Sequence, residues 1–163
     1  MNYANIKYCD IANGTGVRTS LFVSGCTHHC PGCFNEIAWD FNYGQEFTAD
    51  VVYDIIHSLE PDYIAGLSLL GGEPMEPSNQ KALLPLVKRV KELLPNKTIW
   101  CYTGYTYETD LLDEKGRAHT EDTKEFLSYI DVLVDGEFIE DLKDITLEFR
   151  GSSNQRILYL SDN

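Results

Sequence analysis

Residues 19–34 read TSLFVSGCTHHCPGCF, an apolar segment that leads directly into a cysteine-rich one. Residues 19–24 are short, mostly apolar or β-branched, and therefore predict a strand. Gly25 ends this strand, and three cysteines follow within eight residues in the spacing C-x3-C-x2-C. A strand that leads directly into such a cluster predicts a metal-binding loop at its carboxyl end. The three cysteines are Cys26, Cys30 and Cys33.

Predicted helices and strands alternate through the rest of the chain. Apolar residues at helical spacing predict helices at residues 50–60, 78–94 and 121–129. Short apolar segments predict strands at residues 64–70, 98–102, 131–134 and 155–160. Ser78 is expected to cap the second helix, and Pro85 to kink it or reset its start.

This alternation predicts an α/β fold with a parallel sheet and outer crossover helices. A complete eight-unit TIM barrel needs about 250 residues. The chain has 163 residues, so we expect one domain, residues 1–163, with about four to five βα units. The expected form is an incomplete, TIM-like barrel or an open curved sheet, with the active site at the carboxyl ends of the strands.

Charge and hydropathy narrow the possible partners and locations. The net charge of −13 argues against nucleic acid or an anionic membrane as the main partner. An acidic surface usually serves solubility, although it could also meet a basic patch on a protein. No run of 18 apolar residues is present, and the first residues lack a secretory signal pattern, so we expect a cytoplasmic protein.

The cysteine loop is compatible with more than one metal. Five cysteines, an odd number, argue against a disulfide framework. Thiolates suit iron–sulfur clusters, zinc and cuprous copper. Three ligands would leave one iron of a cluster open, whereas His28 or His29 as a fourth ligand would favour structural zinc. The histidines are more often solvated loop residues, and Cys9 and Cys101 more often buried small hydrophobes than extra ligands.

A second motif, GGEP at residues 71–74, follows the predicted strand at residues 64–70. Two glycines let a backbone approach a ligand closely. The carboxylate of Glu73 could pair with an ammonium group. Such a turn before a helix is also ordinary punctuation. Its position after the next parallel strand predicts that it lies beside the cysteine loop.

Together, the two motifs resemble those of the radical S-adenosylmethionine superfamily, in which an aromatic residue, here Phe34, follows the cysteines. The resemblance implies a [4Fe–4S] cluster held by the three cysteines, with S-adenosylmethionine on the fourth iron. It also implies a cofactor-binding set consisting of Gly32, Cys33, Phe34, Gly72 and Glu73.

The chain is similar throughout to one branch, the activating proteins of anaerobic ribonucleoside-triphosphate reductase. The similar segments are DIANGTGVR at 10–18, VDGEF at 134–138, DLKD at 141–144 and RGSSNQR at 150–156. The resemblance implies that a flavodoxin-like donor reduces the cluster, that S-adenosylmethionine is cleaved to a 5′-deoxyadenosyl radical, and that this radical removes a hydrogen atom from a glycine of the reductase.

Several assignments rest only on this resemblance. Asp135 and residues 150–154 are expected to complete the cofactor or partner site. Without the resemblance, Arg18 and Arg156 could equally be surface charges. The remaining alternatives are a radical enzyme acting on another substrate and a non-catalytic zinc-binding module.

Overall fold

The computed structural model describes residues 1–33 and 36–161, which form seven strands and three α-helices. The strands are β1 (Asn2–Asp10), β2 (Val17–Val23), β3 (Gln45–Glu46), β4 (Ile64–Gly71), β5 (Thr98–Tyr102), β6 (Val132–Asp135) and β7 (Arg156–Tyr159). The α-helices are α1 (Ala49–Ser58), α2 (Pro77–Leu93) and α3 (Thr123–Ser128). Short helical turns of other types lie at Glu36–Trp39, Tyr107–Leu112 and Glu140–Leu142.

The strands form one mixed sheet in the order β3-β1-β2-β4-β5-β6-β7. The four central strands β2, β4, β5 and β6 are parallel, as the alternation of elements predicted. The outer strands are antiparallel: β1 to β2, β3 to β1 and β7 to β6. The expectation of a parallel sheet was therefore wrong at both edges. The sheet is not closed, and an incomplete TIM-like barrel is not confirmed.

The helices begin and end for recognisable reasons, with one correction. The Thr48 side chain accepts a hydrogen bond from the Val51 N–H and caps α1. Helix α2 begins at Pro77, so the expected Ser78 cap was wrong; proline suits the first turn because its missing N–H has no helical partner there. The helix continues through Pro85 to Leu93, so that proline does not reset its start.

The α-helices contribute to one large core on one face of the sheet. Alternate strand residues, including Leu67, Leu69 and Cys101, are buried in this core with apolar residues of α1, α2 and α3. Trp100 belongs to a smaller cluster with β6 residues. Because side chains alternate along a strand, Trp100 and its neighbours lie on the opposite face. No helix in the described part of the chain is long and apolar enough to cross a membrane.

Candidate functional site

The cysteine loop and the GGEP turn lie side by side, as the parallel sheet predicted. Strands β2 and β4 pair in parallel, with Val23 opposite Gly71. Beyond the strands, the Gly72 N–H donates to the Val23 carbonyl at 2.8 Å. The Glu73 N–H donates to the Gly25 carbonyl at 2.8 Å. These bonds extend the pairing of β2 and β4 as far as Gly25, the residue directly before Cys26.

Both glycines of the turn are required by geometry. Gly71 has a φ of +111°, which disfavours any residue with a side chain. A Cβ on Gly72 would lie 2.6 Å from the Gly25 carbonyl oxygen and 2.7 Å from that of Ala38. The turn therefore packs backbone against backbone with the cysteine loop, which explains this sequence without invoking a ligand.

A cavity of about 590 Å³ opens at this end of the sheet. Cys26, Cys30 and Cys33 all line it, together with Gly72 and Glu73. The Cys26 and Cys30 side chains are buried, and Cys33 is half-buried. Apolar side chains of the sheet face opposite the large core and of the C-terminal segment form much of the remaining wall, among them Phe22, Leu70, Tyr102, Val134, Phe138 and Phe149.

The surroundings hold two of these thiols in their protonated form when no metal is bound. Burial raises the pKa of Cys26 to about 12, with a further contribution from the charge of Glu73. Burial also raises the pKa of Cys30 to about 11, assisted by the charge of Glu137. Since a metal binds the thiolate, loading this site would release protons.

The other possible ligands do not join the three cysteines. Within residues 1–33 and 36–161, no group of three or more Cys, His, Asp or Glu side chains, the three cysteines of the loop included, has the geometry to hold a single metal ion. His29 is exposed and stacks on Trp39 at 4.4 Å between ring centroids. Cys9 is exposed, so its interpretation as a buried hydrophobe was wrong, whereas Cys101 is fully buried as expected.

Glu73 is the centre of the site's hydrogen bonding, and its side chain is only 1% exposed. One carboxylate oxygen accepts from the Gly104 N–H at 2.6 Å and from His28 Nε2 at 2.8 Å. The other accepts from the Thr103 hydroxyl at 2.7 Å and from the Met75 N–H at 2.9 Å. The carboxylate thus joins the cysteine loop, the GGEP turn and the loop after β5.

His28 is buried, so its interpretation as a solvated loop residue was wrong. Its side chain is 3% exposed, and its ring lies 4.4 Å from the ring of Tyr105. Burial alone would lower the pKa of His28. The hydrogen bond and charge of Glu73, together with the charge of Glu137, outweigh burial and raise this pKa.

A second carboxylate reinforces the same junction. One oxygen of the buried Glu76 accepts from the Thr27 N–H at 2.8 Å and from the Thr27 hydroxyl at 2.7 Å. Asn79 adds a third connection, because its side-chain amide donates to the carbonyls of Ser24 and Glu73. The cysteine loop is therefore fastened to the start of α2 as well as to the turn.

The C-terminal segment forms another wall of the cavity, and its charged residues mostly serve the fold. Asp135 is buried and accepts from the Tyr107 N–H and from the guanidinium of Arg156. Arg156 also pairs with Glu108 at 2.6 Å. Arg150 lines the cavity. The Gln155 side chain holds this segment by accepting from the backbone of residues 151–152 and donating to the carbonyl of residue 136.

Three further residues singled out from the sequence are Gly32, Phe34 and Arg18. Gly32 has a φ of +74°, and a Cβ there would lie 2.8 Å from the Glu140 side chain. Phe34 lies outside the described residues. Arg18 is fully buried at the opposite end of the strands, so it is not a surface charge. The contact of His28 with Glu73 and the role of Glu76 were not predicted from the sequence, because no spacing rule connects these residues to their distant partners.

Comparisons with known proteins agree with this site. A family model described as a 4Fe-4S single cluster domain matches residues 12–158. A protein of Vibrio cholerae is 46% identical over 159 residues, which cover 96% of this chain and 97% of that protein. A protein of Escherichia coli strain K12 is 45% identical over 162 residues, covering 98% and 99%. One of Enterobacteria phage T4 is 42% identical over 159 residues, covering 96% and 93%.

All three relatives are named anaerobic ribonucleoside-triphosphate reductase-activating protein. Their similarity extends over nearly the full length of both chains, and the matching family model includes all three cysteines of the loop. Identities of 42% to 46% along nearly the whole chain go well beyond what a shared fold requires. The chain therefore belongs to the family of anaerobic ribonucleoside-triphosphate reductase-activating proteins.

Proposed function

We propose that this chain activates an anaerobic ribonucleoside-triphosphate reductase by generating a glycyl radical on it. When bound, a [4Fe–4S] cluster and S-adenosylmethionine supply the chemistry, which is reductive cleavage of the cofactor to a 5′-deoxyadenosyl radical that removes a hydrogen atom from a glycine of the reductase. The observation that carries the proposal is the meeting of three thiols with the GGEP turn at one cavity.

The residues around the cavity fit an iron–sulfur cluster. Cys26, Cys30 and Cys33 would bind three irons as thiolates, the ligands that such clusters use. Cys9 and Cys101 do not line the described cavity, so a fourth cysteine ligand has no support here. A cluster with three protein ligands keeps one iron open to a cofactor.

We assign the cofactor to the side of the cavity formed by the GGEP turn. Gly72 lines the cavity on this side, and Glu73 holds the turn and the loop after β5 in place. Gly32, Cys33 and Phe34 remain proposed contacts from the cysteine loop. Because the Glu73 oxygens already accept four hydrogen bonds, we expect its main contribution to be orientation of the site.

The cavity walls suit a reaction that must exclude water. Apolar side chains such as Phe22, Leu70 and Phe149 line the region beside the thiols. A carbon radical attacks nearby C–H bonds and needs a shielded site. We propose that residues 1–163 act as one domain, and that the open sheet is an incomplete barrel whose gap admits the glycine-bearing segment of the reductase.

An electron donor must also reach the cluster. Thr27, His29, Pro31 and Gly32 are exposed, so the loop has a face toward solvent next to the buried thiols. We propose that a flavodoxin-like donor docks on this side, because the reductase segment would occupy the cavity itself.

The test begins with protein purified and reconstituted without oxygen. Iron and acid-labile sulfide should be near four of each per chain, and paramagnetic resonance of the reduced cluster should change when S-adenosylmethionine is added. Incubation with the reductase, reductant and cofactor should then produce a glycyl radical signal. Cys30→Ala should abolish cluster binding, whereas Cys9→Ala, at an exposed cysteine outside the cavity, should leave it intact.

Three results would contradict the proposal. Zinc without acid-labile sulfide would favour the zinc-binding module. An intact cluster whose spectrum does not respond to S-adenosylmethionine would exclude an open iron. A responsive cluster that never yields a glycyl radical on the reductase would indicate a radical enzyme with another substrate.

A further inference from the structure

We propose that His28 is a positioning residue that couples the cysteine loop to the cofactor-binding turn through Glu73. This inference rests on the proposed function, since it assumes that the turn meets S-adenosylmethionine. It assigns a role to a residue that is neither a cysteine ligand nor part of the GGEP motif.

The first support is the hydrogen bond itself. His28 Nε2 lies 2.8 Å from a Glu73 oxygen, and both side chains are almost fully buried. The same carboxylate accepts backbone N–H groups of Gly104 and Met75, so it acts as the acceptor and His28 Nε2 carries the hydrogen. A hydrogen bond to a buried charged group is among the stronger ones in proteins.

The second support is that the ring is held in place from other sides. A Cβ on Gly104 would lie 2.8 Å from His28 Nε2, so the loop after β5 leaves no space for the ring to move toward it. Tyr105 packs on the ring at a tilt, with 4.4 Å between centroids. The glycine at position 104 is therefore matched to the histidine at position 28.

The third support concerns the other ring nitrogen. His28 Nδ1 is buried without a hydrogen-bond partner among the described residues. Glu137 Oε1 lies 3.8 Å from it, which is beyond hydrogen-bond range. The same oxygen is 3.7 Å from Cys30 Sγ. One ring nitrogen of His28 therefore donates to Glu73, and the other faces the Glu137 carboxylate, which lies next to Cys30. The ring is fixed by its hydrogen bond to Glu73 in the GGEP turn.

The mechanical consequence follows from these contacts. With His28 in place, the loop that carries the thiols and the turn that carries Gly72 form one hydrogen-bonded unit. Without it, one Glu73 oxygen would keep only the Gly104 N–H, and the Glu73 carboxylate would lose its contact with the cysteine loop. The backbone bond from Glu73 to Gly25 and the bridge made by the Asn79 side chain would remain. The three cysteines would still be present, so cofactor affinity should fall more than cluster content.

Three variants of the cluster-loaded protein test this coupling. His28→Leu removes the donor at similar volume, His28→Gln keeps a side-chain donor, and Gly104→Ala displaces the ring while keeping all groups. His57→Leu, at a histidine side chain that is 68% exposed on α1, is the matched control. The measurements are iron and sulfide content, affinity for S-adenosylmethionine from the spectroscopic titration, and hydrogen exchange at the Gly104 and Met75 amides.

We expect His28→Leu and Gly104→Ala to keep most of their iron and sulfide, yet to bind S-adenosylmethionine about tenfold more weakly or worse. His28→Gln should lose less than about threefold, and His57→Leu should match the unaltered protein. Exchange at the Gly104 and Met75 amides should accelerate in His28→Leu. A purely structural role would not separate affinity from cluster content or allow rescue by glutamine.

The inference is overturned if His28→Leu retains full affinity and slow exchange, or if His28→Gln loses as much as His28→Leu. If His28→Leu fails to hold a cluster, Gly104→Ala decides, because unchanged affinity and exchange in that variant would also overturn it. Failure of the proposed function is distinguishable, since it would show as no response to S-adenosylmethionine in the unaltered protein. The exchange measurement would still decide whether His28 couples loop and turn.

Discussion

Charged side chains are buried at both ends of the parallel strands, and two of them, Arg18 and Glu73, are satisfied in different ways. At the amino end, the guanidinium of Arg18 is fully buried and makes five hydrogen bonds, all to neutral oxygens. At the carboxyl end, the carboxylate of Glu73 accepts four hydrogen bonds. Both arrangements offset the high cost of removing a charge from water.

The two charged groups differ in whether their hydrogen-bond partners lie on strands or on loops. The acceptors around Arg18 come from strand residues 67, 68 and 98 and from residue 15, which lies two positions before β2. The donors around Glu73 come from three loops, and the cavity opens beside them. A buried charge that joins strands stabilises the sheet, whereas one that joins loops also fixes the geometry of a site. The comparison predicts separable losses of stability and function.

The largest expected effect on stability is at the amino end. Arg18→Met should lower the free energy of unfolding by about 3–5 kcal/mol, because it leaves several buried acceptors without a donor. Burial lowers the pKa of Arg18 to about 10, so the guanidinium is charged at neutral pH and its loss removes strong donors. Urea unfolding of the metal-free protein measures the change.

Arg89→Met, at an exposed arginine on α2, is the control and should change stability by less than about 0.5 kcal/mol. If the two variants unfold at the same urea concentration, the stability of the sheet does not depend on Arg18, and the structural role assigned to this residue is refuted. If Arg18→Met folds and is loaded with a cluster, it should still respond to S-adenosylmethionine.

The next effect is at the carboxyl end and should be mainly functional. Each Glu73 oxygen accepts hydrogen bonds from two donors. Glu73→Gln replaces one of these oxygens by an NH2 group, so two donors lose their acceptor. We expect a loss of about 1–3 kcal/mol in unfolding free energy. We also expect a loss of glycyl radical formation larger than this instability explains. Paramagnetic resonance of the reductase measures that loss under conditions where the variant remains folded.

Glu60→Gln provides the matched control, since the Glu60 side chain is largely exposed and its carboxylate pairs with the exposed His57. Equal glycyl radical yields in Glu73→Gln and Glu60→Gln would show that Glu73 has no functional role in the site. If Glu73→Gln were as unstable as Arg18→Met, the buried charges at both ends of the strands would serve mainly to stabilise the fold.

The same contrast explains what the sequence could and could not predict. The central strands and α1 were predictable because their buried residues follow the periods of strand and helix. Strand β1 was missed because its residues are half-buried or exposed, and register shifts near Asn5 and Lys7 interrupt the alternation. An antiparallel edge strand of this kind lacks the continuous apolar run of a central parallel strand.

The site was predictable only where neighbours in the sequence carry it. The three cysteines and the GGEP turn are local motifs, and the parallel sheet brings them together. The contact between His28 and Glu73 joins residues 45 apart through side chains of two loops. Four of the five neutral oxygens around Arg18 are likewise placed by strand register, since they belong to β4 and β5. No local pattern encodes either network, so the structure was needed to find them.

The smallest predicted effect is a pH dependence near the amino end. Asp10 ends β1 opposite Arg18 in the strand register. Burial acts to raise the pKa of Asp10, but hydrogen bonds from the Ala12 N–H and the Asn13 side chain, together with the charge of Lys7, outweigh it and lower this pKa. A lowered carboxyl pKa stabilises the fold above the unfolded value, and this contribution is lost as the pH falls through the folded value.

Asp10→Asn should therefore cost less than about 1 kcal/mol at pH 7, and the difference from the unaltered protein should shrink as the pH falls below about 4. Urea unfolding of the metal-free proteins between pH 7 and pH 3 measures it. Arg18→Met should show no such convergence, because arginine stays protonated throughout this range. A pH-independent cost of Asp10→Asn would mean that the carboxylate acts through shape alone, and Arg18 would then be the principal charged contribution to stability at the amino end.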